Sequence, residues 1–153
     1  MRETTEDRQN EVLTMAELCR TWKCRTFKLP QYHALDHALI RGRKVFALCE
    51  VKVRSSSWTR YSRVMIGLEK VINARQIGRA AGLKTFLVVR WADGLGWINF
   101  EADCDIAIGG RTDREDDETN LVALFRMSDF VMIRDKSDGR KAEASPNFAN
   151  PTT

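Results

Sequence analysis

The spacing of apolar residues predicts both helices and strands along this chain. In residues 6–22 apolar side chains recur every three or four positions, which predicts a helix capped by Thr4 or Thr5. The predicted buried stripe of this helix is Val12, Met15, Leu18, Cys19 and Trp22. A second helix is predicted over residues 61–81, with Gly82 as its C-terminal cap. Its predicted inward positions are Val64, Leu68, Val71 and Ile72, with small residues at Gly67, Ala74 and Gly78.

Runs of β-branched and aromatic residues predict the strands of one central sheet. Residues 33–40 and 44–53 form a predicted β-hairpin whose turn contains Gly42. The other predicted strands are residues 23–28, 85–91 and 96–100, followed by an edge strand at 121–125 and a short last element at 129–133. Residues 101–117 are acidic and glycine-rich, which predicts an exposed loop. This order favours an α/β fold with a central mixed β-sheet flanked by helices.

Length and composition favour one domain. The chain has 153 residues, of which 43% are hydrophobic, so we expect a domain over residues 1–133 and a flexible C-terminal tail over 134–153. The sequence lacks an apolar run of about 18 residues and its N-terminus is acidic, so we expect a cytoplasmic protein without membrane contact. The cysteines lack Cys-x-x-Cys spacing and are expected to be reduced packing residues: Cys19, Cys24, Cys49 and Cys104.

The net charge of +4 conceals a strong segregation of charge along the chain. Residues 20–90 contain 16 Lys and Arg but only three acids, Asp36, Glu50 and Glu69, which gives a net charge of +13. The remainder of the chain has a net charge of −9. A solvated basic surface is one explanation, but the asymmetry favours a nucleic-acid partner.

The predicted strand over residues 44–53 contains two charges that a buried strand does not ordinarily tolerate. Glu50 and Lys52 are two positions apart, so their side chains point to the same face. Charges in a buried strand require a partner or a metal, which indicates a functional site. A three-residue turn would pair Ile40 with Lys44 and place Asp36 opposite Leu48, on the face of Glu50. We expect this turn, with Gly42 or Arg43 in a left-handed conformation, because a two-residue turn would move Asp36 to the other face.

Asp36, followed fourteen residues later by Glu50-Val51-Lys52, resembles the signature of the PD-(D/E)XK nuclease superfamily, with Leu35 at the position of the motif's often absent proline. The order of elements over residues 6–100 is similar to that of archaeal Holliday-junction resolvases and phage-encoded nucleases. Residues 109–114 and the apolar run after them also resemble a tail of phage members. The resemblance implies a restriction-endonuclease-like core, cleavage of DNA and a homodimer.

The expected chemistry is metal-dependent hydrolysis of a phosphodiester. Asp36 and Glu50 offer hard oxygen ligands that suit Mg²⁺ or Mn²⁺, and the Val51 carbonyl is a further expected ligand. Lys52 would orient or deprotonate the attacking water, or stabilise the transition state electrostatically. Glu11 falls in the inward stripe of the first helix, where the resolvases also carry a glutamate, and is expected to be a third site carboxylate. The alternative is a stripe-edge glutamate that reaches solvent or pairs with an arginine.

The segment 53–61 is polar, basic and aromatic, so we expect a flexible loop that contacts the nucleic acid. The expected nucleic-acid contacts are Arg41, Arg43, Arg54, Trp58, Arg60, Arg63 and Lys70. Trp58 and Tyr61 equally suit packing against the next helix. Resemblance to phage nucleases suggests that Lys70 reaches the scissile phosphate or the site carboxylates, whereas a surface lysine is the default. His33 and His37 are expected to be structural or to contact phosphate rather than to bind metal.

These observations favour a metal-dependent DNA endonuclease, with selectivity for branched DNA implied by the resemblance. A catalytically inactive DNA-binding or phage structural protein with the same fold is the alternative from another class. An RNase or a tRNA-directed nuclease is a second alternative. No phosphate-binding glycine loop, dinucleotide motif or Gly-x-Ser-x-Gly motif occurs, so a nucleotide cofactor and a serine hydrolase mechanism are not expected.

Overall fold

A computed structural model of the protein describes residues 5–30, 34–109 and 120–135. Its helices are α1 (Thr5–Trp22) and α2 (Leu68–Ala81), with a 3-10 helix at Met127–Asp129. The strands are β1 (Arg25–Lys28), β2 (His37–Arg41), β3 (Lys44–Val53), β4 (Arg63–Gly67), β5 (Lys84–Trp91), β6 (Gly94–Asn99), β7 (Cys104–Gly109), β8 (Asn120–Arg126) and β9 (Val131–Asp135). Within the described ranges no helix is both long and apolar enough to cross a membrane.

The central element is a six-stranded mixed sheet in the order β1-β2-β3-β5-β6-β9. Strands β3 and β5 are parallel, and the other paired neighbours in this sheet are antiparallel. A parallel pair requires a crossover connection, and α2 lies within the segment that joins β3 to β5. The expected α/β fold with a central mixed sheet is confirmed.

Helix α1 covers one face of the central sheet. Its inward side chains Met15, Leu18 and Trp22 are buried against strand residues that include Phe86 and Val88. The rings of Trp22, Phe86 and Trp97 meet edge to face, with centroids 5.3–5.7 Å apart. The predicted stripe was wrong at Val12, which is 66% exposed, because Thr14 occupies the buried position on that part of the helix.

Helix α2 and a second, three-stranded sheet cover the opposite face. This second sheet has the order β4-β8-β7 and is antiparallel. Val71 and Ala74 of α2 are fully buried in the same apolar cluster as Phe100 and Phe125, whose ring centroids lie 6.5 Å apart. The central sheet is therefore buried on both sides, which explains why β5 is an almost continuous apolar run.

The second helix begins seven residues later than predicted, at Leu68. Residues 63–67 form β4 instead, because their alternating exposed and buried positions match a strand that pairs with β8. The predicted inward position of Ile72 was also wrong, since this side chain is 44% exposed. The predicted cap is confirmed: Gly82 is left-handed, and its N–H donates to the Gly78 carbonyl.

The C-terminal half differs from the prediction in two places. Residues 104–109 form β7 rather than part of an exposed loop, and the predicted edge strand at 121–125 lies in β8, the middle strand of the second sheet. The short last element is present as the 3-10 helix and β9. Residues 110–114, most of the tail-like segment, lie outside the described residues. The predicted flexible tail over 134–153 begins too early, because Arg134 and Asp135 belong to β9, and its remainder from 136 onwards lies outside the described residues. All four cysteines are free thiols.

Candidate active site

The hairpin formed by β2 and β3 determines the geometry of the site. Its turn contains two residues, Gly42 and Arg43, because Arg41 pairs with Lys44, so the expected three-residue turn was wrong. Gly42 has a φ of 59°, a left-handed conformation as expected. A β-bulge follows, because Ile40 pairs with Val45 whereas Leu39 pairs with Ala47. The bulge adds one residue to β3 and shifts the register of everything beyond it.

This shift keeps Asp36 close to Glu50. Leu48 pairs with Ala38 rather than with Asp36, and Asp36 immediately precedes β2 instead of lying within it. Its N–H donates to the Cys49 carbonyl at 3.0 Å, and its Oδ2 accepts a hydrogen bond from the Val51 N–H at 2.9 Å. The backbone around Glu50 therefore holds the Asp36 carboxylate beside the Glu50 strand.

Glu50 is the buried centre of the site. Only 3% of the residue is exposed, and Oε1 lies 3.5 Å from Lys52 Nζ and 3.3 Å from Lys70 Nζ. Lys70 projects from the first turn of α2 and also donates to the Ala34 carbonyl at 2.9 Å. Burial, together with the charge of Asp36, raises the pKa of Glu50 to about 7, although the two lysines partly oppose the rise. The structure thus brings together Asp36, Glu50, Lys52 and Lys70.

The second carboxylate oxygen of Glu50 is suited to coordinate a metal ion. Oε2 is buried and has no hydrogen-bond partner within the described residues. A buried carboxylate oxygen without a partner is costly, and a hard divalent cation would satisfy it. Within the same residues no group of three or more His, Cys, Asp or Glu side chains is arranged to hold a metal. Asp36 and Glu50 therefore fit a site in which backbone carbonyls and water complete the coordination.

Glu11 lies on the other side of the central sheet. Its Oε1 accepts hydrogen bonds from Lys28 and from His37 Nε2, the latter at 2.7 Å, and Thr26 Oγ1 lies 3.0 Å from His37 Nδ1. Burial opposes ionisation of Glu11, but these two hydrogen bonds outweigh it and lower its pKa. The inward orientation of Glu11 was predicted correctly, yet its described contacts join it to β1 and β2 and not to Glu50. His37 is structural in this arrangement, and His33 lies outside the described residues.

The expected nucleic-acid contacts occupy different parts of the molecule. Arg54 and Arg60 are exposed in the segment after β3, whereas Arg63 pairs with Asp105 at 3.1 Å. Arg41 and Arg43 lie at the hairpin turn, six or more residues along β3 from Glu50, which corresponds to roughly 20 Å. There the Arg41 guanidinium donates to the Trp22 carbonyl at 2.6 Å. These two arginines therefore lie apart from Glu50 and its two lysines.

The segment between β3 and β4 is fixed to the central sheet rather than free. Asp93, in the turn between β5 and β6, accepts hydrogen bonds from Ser57 Oγ at 2.6 Å and from the Trp58 N–H at 3.0 Å. The half-buried Trp58 packs against the apolar cluster beneath α2, which supports packing over base stacking. The sequence contains no local signal for this anchor, because Asp93 is 35 residues from Trp58.

Comparisons with known proteins agree with this geometry. A protein family described as "Phage putative PDDEXK endonuclease" matches residues 1–133. Among solved structures, the chain is similar to Hjc, a Holliday junction resolvase from the archaeal hyperthermophile Archaeoglobus fulgidus. That match has a TM-score of 0.56 and 13% sequence identity, and covers 81% of this chain and 86% of the resolvase. No curated protein sequence matches significantly.

Proposed function

The chain belongs to the phage PDDEXK endonuclease family. We propose that it is a divalent-metal-dependent endonuclease that hydrolyses DNA in an active site formed by Asp36, Glu50 and Lys52. The observation that carries this proposal is the buried Glu50 carboxylate. It lies beside Asp36 and between two lysines, with Oε2 unpartnered within the described residues. Such a desolvated carboxylate is costly in a folded protein, so a functional cation is the simplest reason for it.

Asp36, Glu50 and the Val51 carbonyl would hold Mg²⁺ or Mn²⁺. When bound, the cation would supply positive charge to the phosphate and lower the pKa of a water. The hydrogen bond from the Val51 N–H keeps the Asp36 carboxylate in place before any ligand arrives. Asp36 and Glu50 are hard oxygen ligands and therefore favour these ions over zinc.

The two lysines supply the remaining positive charge. Lys52 and Lys70 are each about one-third exposed, so both ammonium groups can reach a phosphate from the Glu50 side. Lys52 orients or deprotonates the attacking water, and Lys70 stabilises negative charge that develops on the phosphate oxygens. The position of Lys70 on α2 adds a second lysine to the Glu-x-Lys pair.

The proposed substrate is DNA. The net charge of +13 over residues 20–90 supports a polyanionic partner, and the exposed Arg54 and Arg60 follow directly after the strand that carries Glu50 and Lys52. The similarity to a Holliday junction resolvase makes a four-way junction the first branched substrate to test. The proposed assembly is a homodimer, which the resemblance of the sequence to resolvases implies.

Nicking of a supercoiled plasmid tests the proposed function. We expect cleavage with Mg²⁺ or Mn²⁺ and none with EDTA. Asp36→Asn and Glu50→Gln are expected to lower the cleavage rate by roughly 10³-fold or more with DNA affinity retained, because each removes a ligand but no cationic contact. Glu101→Gln is the matched control, since this exposed carboxylate pairs with Arg79 at 2.8 Å, away from the site.

Two outcomes would favour the alternatives. Tight DNA binding without cleavage under any metal condition would indicate the catalytically inactive DNA-binding protein. Cleavage of RNA but not of linear duplex or four-way junction DNA would indicate the RNase. Unchanged cleavage by Asp36→Asn or Glu50→Gln would contradict the site itself.

A further inference from the structure

Two cysteines face each other where α1 ends. The chain leaves the helix through Lys23, whose φ of 51° is left-handed, and the Cys24 N–H donates to the Cys19 carbonyl at 3.0 Å. This tight turn brings the side chains together: the Cys24 thiol donates to Cys19 Sγ at 3.7 Å. Both side chains are half-buried. To form a disulfide, the two sulfur atoms would have to approach from 3.7 Å to about 2 Å.

The surroundings of this pair are positively charged. Both cysteines line an open pocket of about 500 Å³. Its other lining residues are Arg20, Lys23, Arg25, Ile40, Arg41 and Gly42, so its charged lining residues are all basic. Neighbouring cations favour a thiolate over a thiol and attract anionic reagents. The hydrogen bond from Cys24 also lowers the pKa of Cys19, although burial opposes this.

We propose that Cys19 and Cys24 are a thiol–disulfide exchange site that reacts with small anionic disulfides, with Cys19 as the attacking thiolate and Cys24 as the resolving thiol. The roles follow from the hydrogen bond, in which Cys24 is the donor and Cys19 the acceptor. The site is independent of the proposed nuclease function.

The exchange balances in two steps. The Cys19 thiolate attacks one sulfur of the reagent RS–SR, which forms a Cys19–SR bond and releases RS⁻. Cys24 then loses its proton to that RS⁻ and attacks Cys19 Sγ, which forms the Cys19–Cys24 bond and expels the second RS⁻. The second RS⁻ takes from solvent the proton that Cys19 gave up on ionising. The two cysteines are oxidised by two electrons in total, and the reagent is reduced to two thiols.

The Cys19–Cys24 disulfide would join the end of α1 to the start of β1, two elements that also contact each other through Glu11. Cys24 directly precedes β1, and Glu11 of α1 bonds to Lys28 of β1. A disulfide between the end of α1 and the start of β1 restricts the unfolded chain, so oxidation is expected to raise the melting temperature by roughly 3–8 °C. Dithiothreitol should reverse the shift.

Mass spectrometry of the native protein treated with oxidised glutathione tests the proposal. We expect the wild type to lose two hydrogens and two of its four free thiols. Cys24→Ser should instead hold one glutathione on Cys19, because the resolving thiol is absent, and Cys19→Ser should gain much less. Cys104→Ser is the matched control, since Cys104 is also half-buried but lies beside Arg75 on the other side of the molecule, and it should still form the bridge.

The basic lining of the pocket predicts that anionic disulfides react faster than cationic ones, which the geometry of the two thiols alone does not predict. Oxidised glutathione is anionic and cystamine is dicationic, so we expect the first to react faster by about tenfold or more after correction for intrinsic reactivity. Arg20→Gln together with Lys23→Gln should reduce that preference, measured as the ratio of the oxidised glutathione rate to the cystamine rate. Retention of all four thiols by the native wild type, or equal adducts at Cys19 and Cys104 in Cys24→Ser, would overturn the proposal. Equal rates for both reagents would overturn the anionic specificity. Plasmid cleavage plays no part in these readouts.

Discussion

Glu50 is the central residue of the candidate site, and its carboxylate is buried. Three of its neighbours carry charge, and burial has the largest effect on its pKa, which rises to about 7. A carboxylate in this position destabilises the metal-free fold whenever it is ionised. The proposed cation would therefore contribute to folding as well as to catalysis.

The raised pKa of Glu50 predicts a pH-dependent stability in the absence of metal. The unfolded glutamate titrates near 4.5 and the folded one near 7, so between these pH values the folded protein binds a proton that the unfolded chain has lost. The contribution of Glu50 to the free energy of unfolding should fall as pH rises through this window, by roughly 3 kcal/mol at most. Urea unfolding with EDTA at pH 5 to 8 measures it.

Glu50→Gln should remove this decline and be more stable than the wild type at pH 8 without metal. Glu101→Gln should retain the decline. Arg79 lowers the pKa of the largely exposed Glu101, so the contribution of Glu101 to the free energy of unfolding changes with pH only below this window. Addition of Mg²⁺ should stabilise the wild type more at pH 8 than at pH 6, since protons compete for the ligand oxygens. Identical pH profiles for wild type and Glu50→Gln would refute the raised pKa.

Lys70 is the residue whose proposed role depends most on the structure. We expect Lys52→Ala and Lys70→Ala each to lower the cleavage rate by roughly 10²-fold, because each removes a positive charge from the reacting phosphate. Lys44→Ala, at the hairpin turn, should have little effect. Single-turnover cleavage of a short duplex measures the three rates. A rate for Lys70→Ala equal to that of Lys44→Ala would show that Lys70 only ties α2 to Ala34.

At the scale of elements, the position of α2 depends on close backbone packing at its C-terminal end. A Cβ added at Gly78 would lie 2.8 Å from the Leu83 carbonyl oxygen and 3.0 Å from Thr85 Cγ2. These atoms belong to the turn and strand that follow α2, so Gly78 allows the helix to pack against the start of β5. The same helix presents Lys70 to Glu50 from its first turn.

Gly78→Ala is expected to reduce the free energy of unfolding by about 1–2 kcal/mol, although alanine favours helices by about 1 kcal/mol, because the backbone contact must shift. Gly67→Ala is the matched control, since its added Cβ meets no atom within 4 Å and Gly67 has a negative φ. Thermal unfolding of both variants is the measurement. A Gly78→Ala protein as stable as Gly67→Ala would show that the helix end adjusts freely.

The β2–β3 hairpin places Asp36 near Glu50, as predicted, but with a different turn from the predicted one. A three-residue turn was expected to keep Asp36 near Glu50. The observed two-residue turn would by itself place Asp36 on the other face, and the bulge between Val45 and Ala47 reverses that change. The turn length and the bulge cannot be separated from sequence, because both alter register by one residue.

At the scale of the whole molecule, the two faces of the central sheet carry different groups of residues. Glu50 points to the face that α2 covers, whereas Cys49 and Val51 pack with α1 on the other face. This alternation explains why Glu11, although inward on α1 as predicted, meets His37 instead of Glu50. It also separates the Cys19–Cys24 pair from the candidate active site.

The positive charge of residues 20–90 is divided between the same two regions. Lys52 and Lys70 contact Glu50, with Arg54 and Arg60 exposed along the chain from Lys52. Arg20, Lys23, Arg25 and Arg41 instead surround the cysteine pair near the hairpin turn. Net charge indicated a polyanionic partner, but it contained no information on which cations share a surface.

The sequence by itself determined the α/β class, the main strands, the C-terminal cap at Gly82 and the pairing of Glu50 with Lys52 on one face. These features depend on periodicity and on residues that are close in the chain, which physical chemistry constrains locally. Tertiary structure decided that residues 63–67 form a strand, that Asp93 anchors Trp58, that Lys70 reaches Glu50 and that Glu11 does not. Each of these depends on which distant segment supplies the partner, and burial and hydrogen bonding select that partner only when the whole chain packs together.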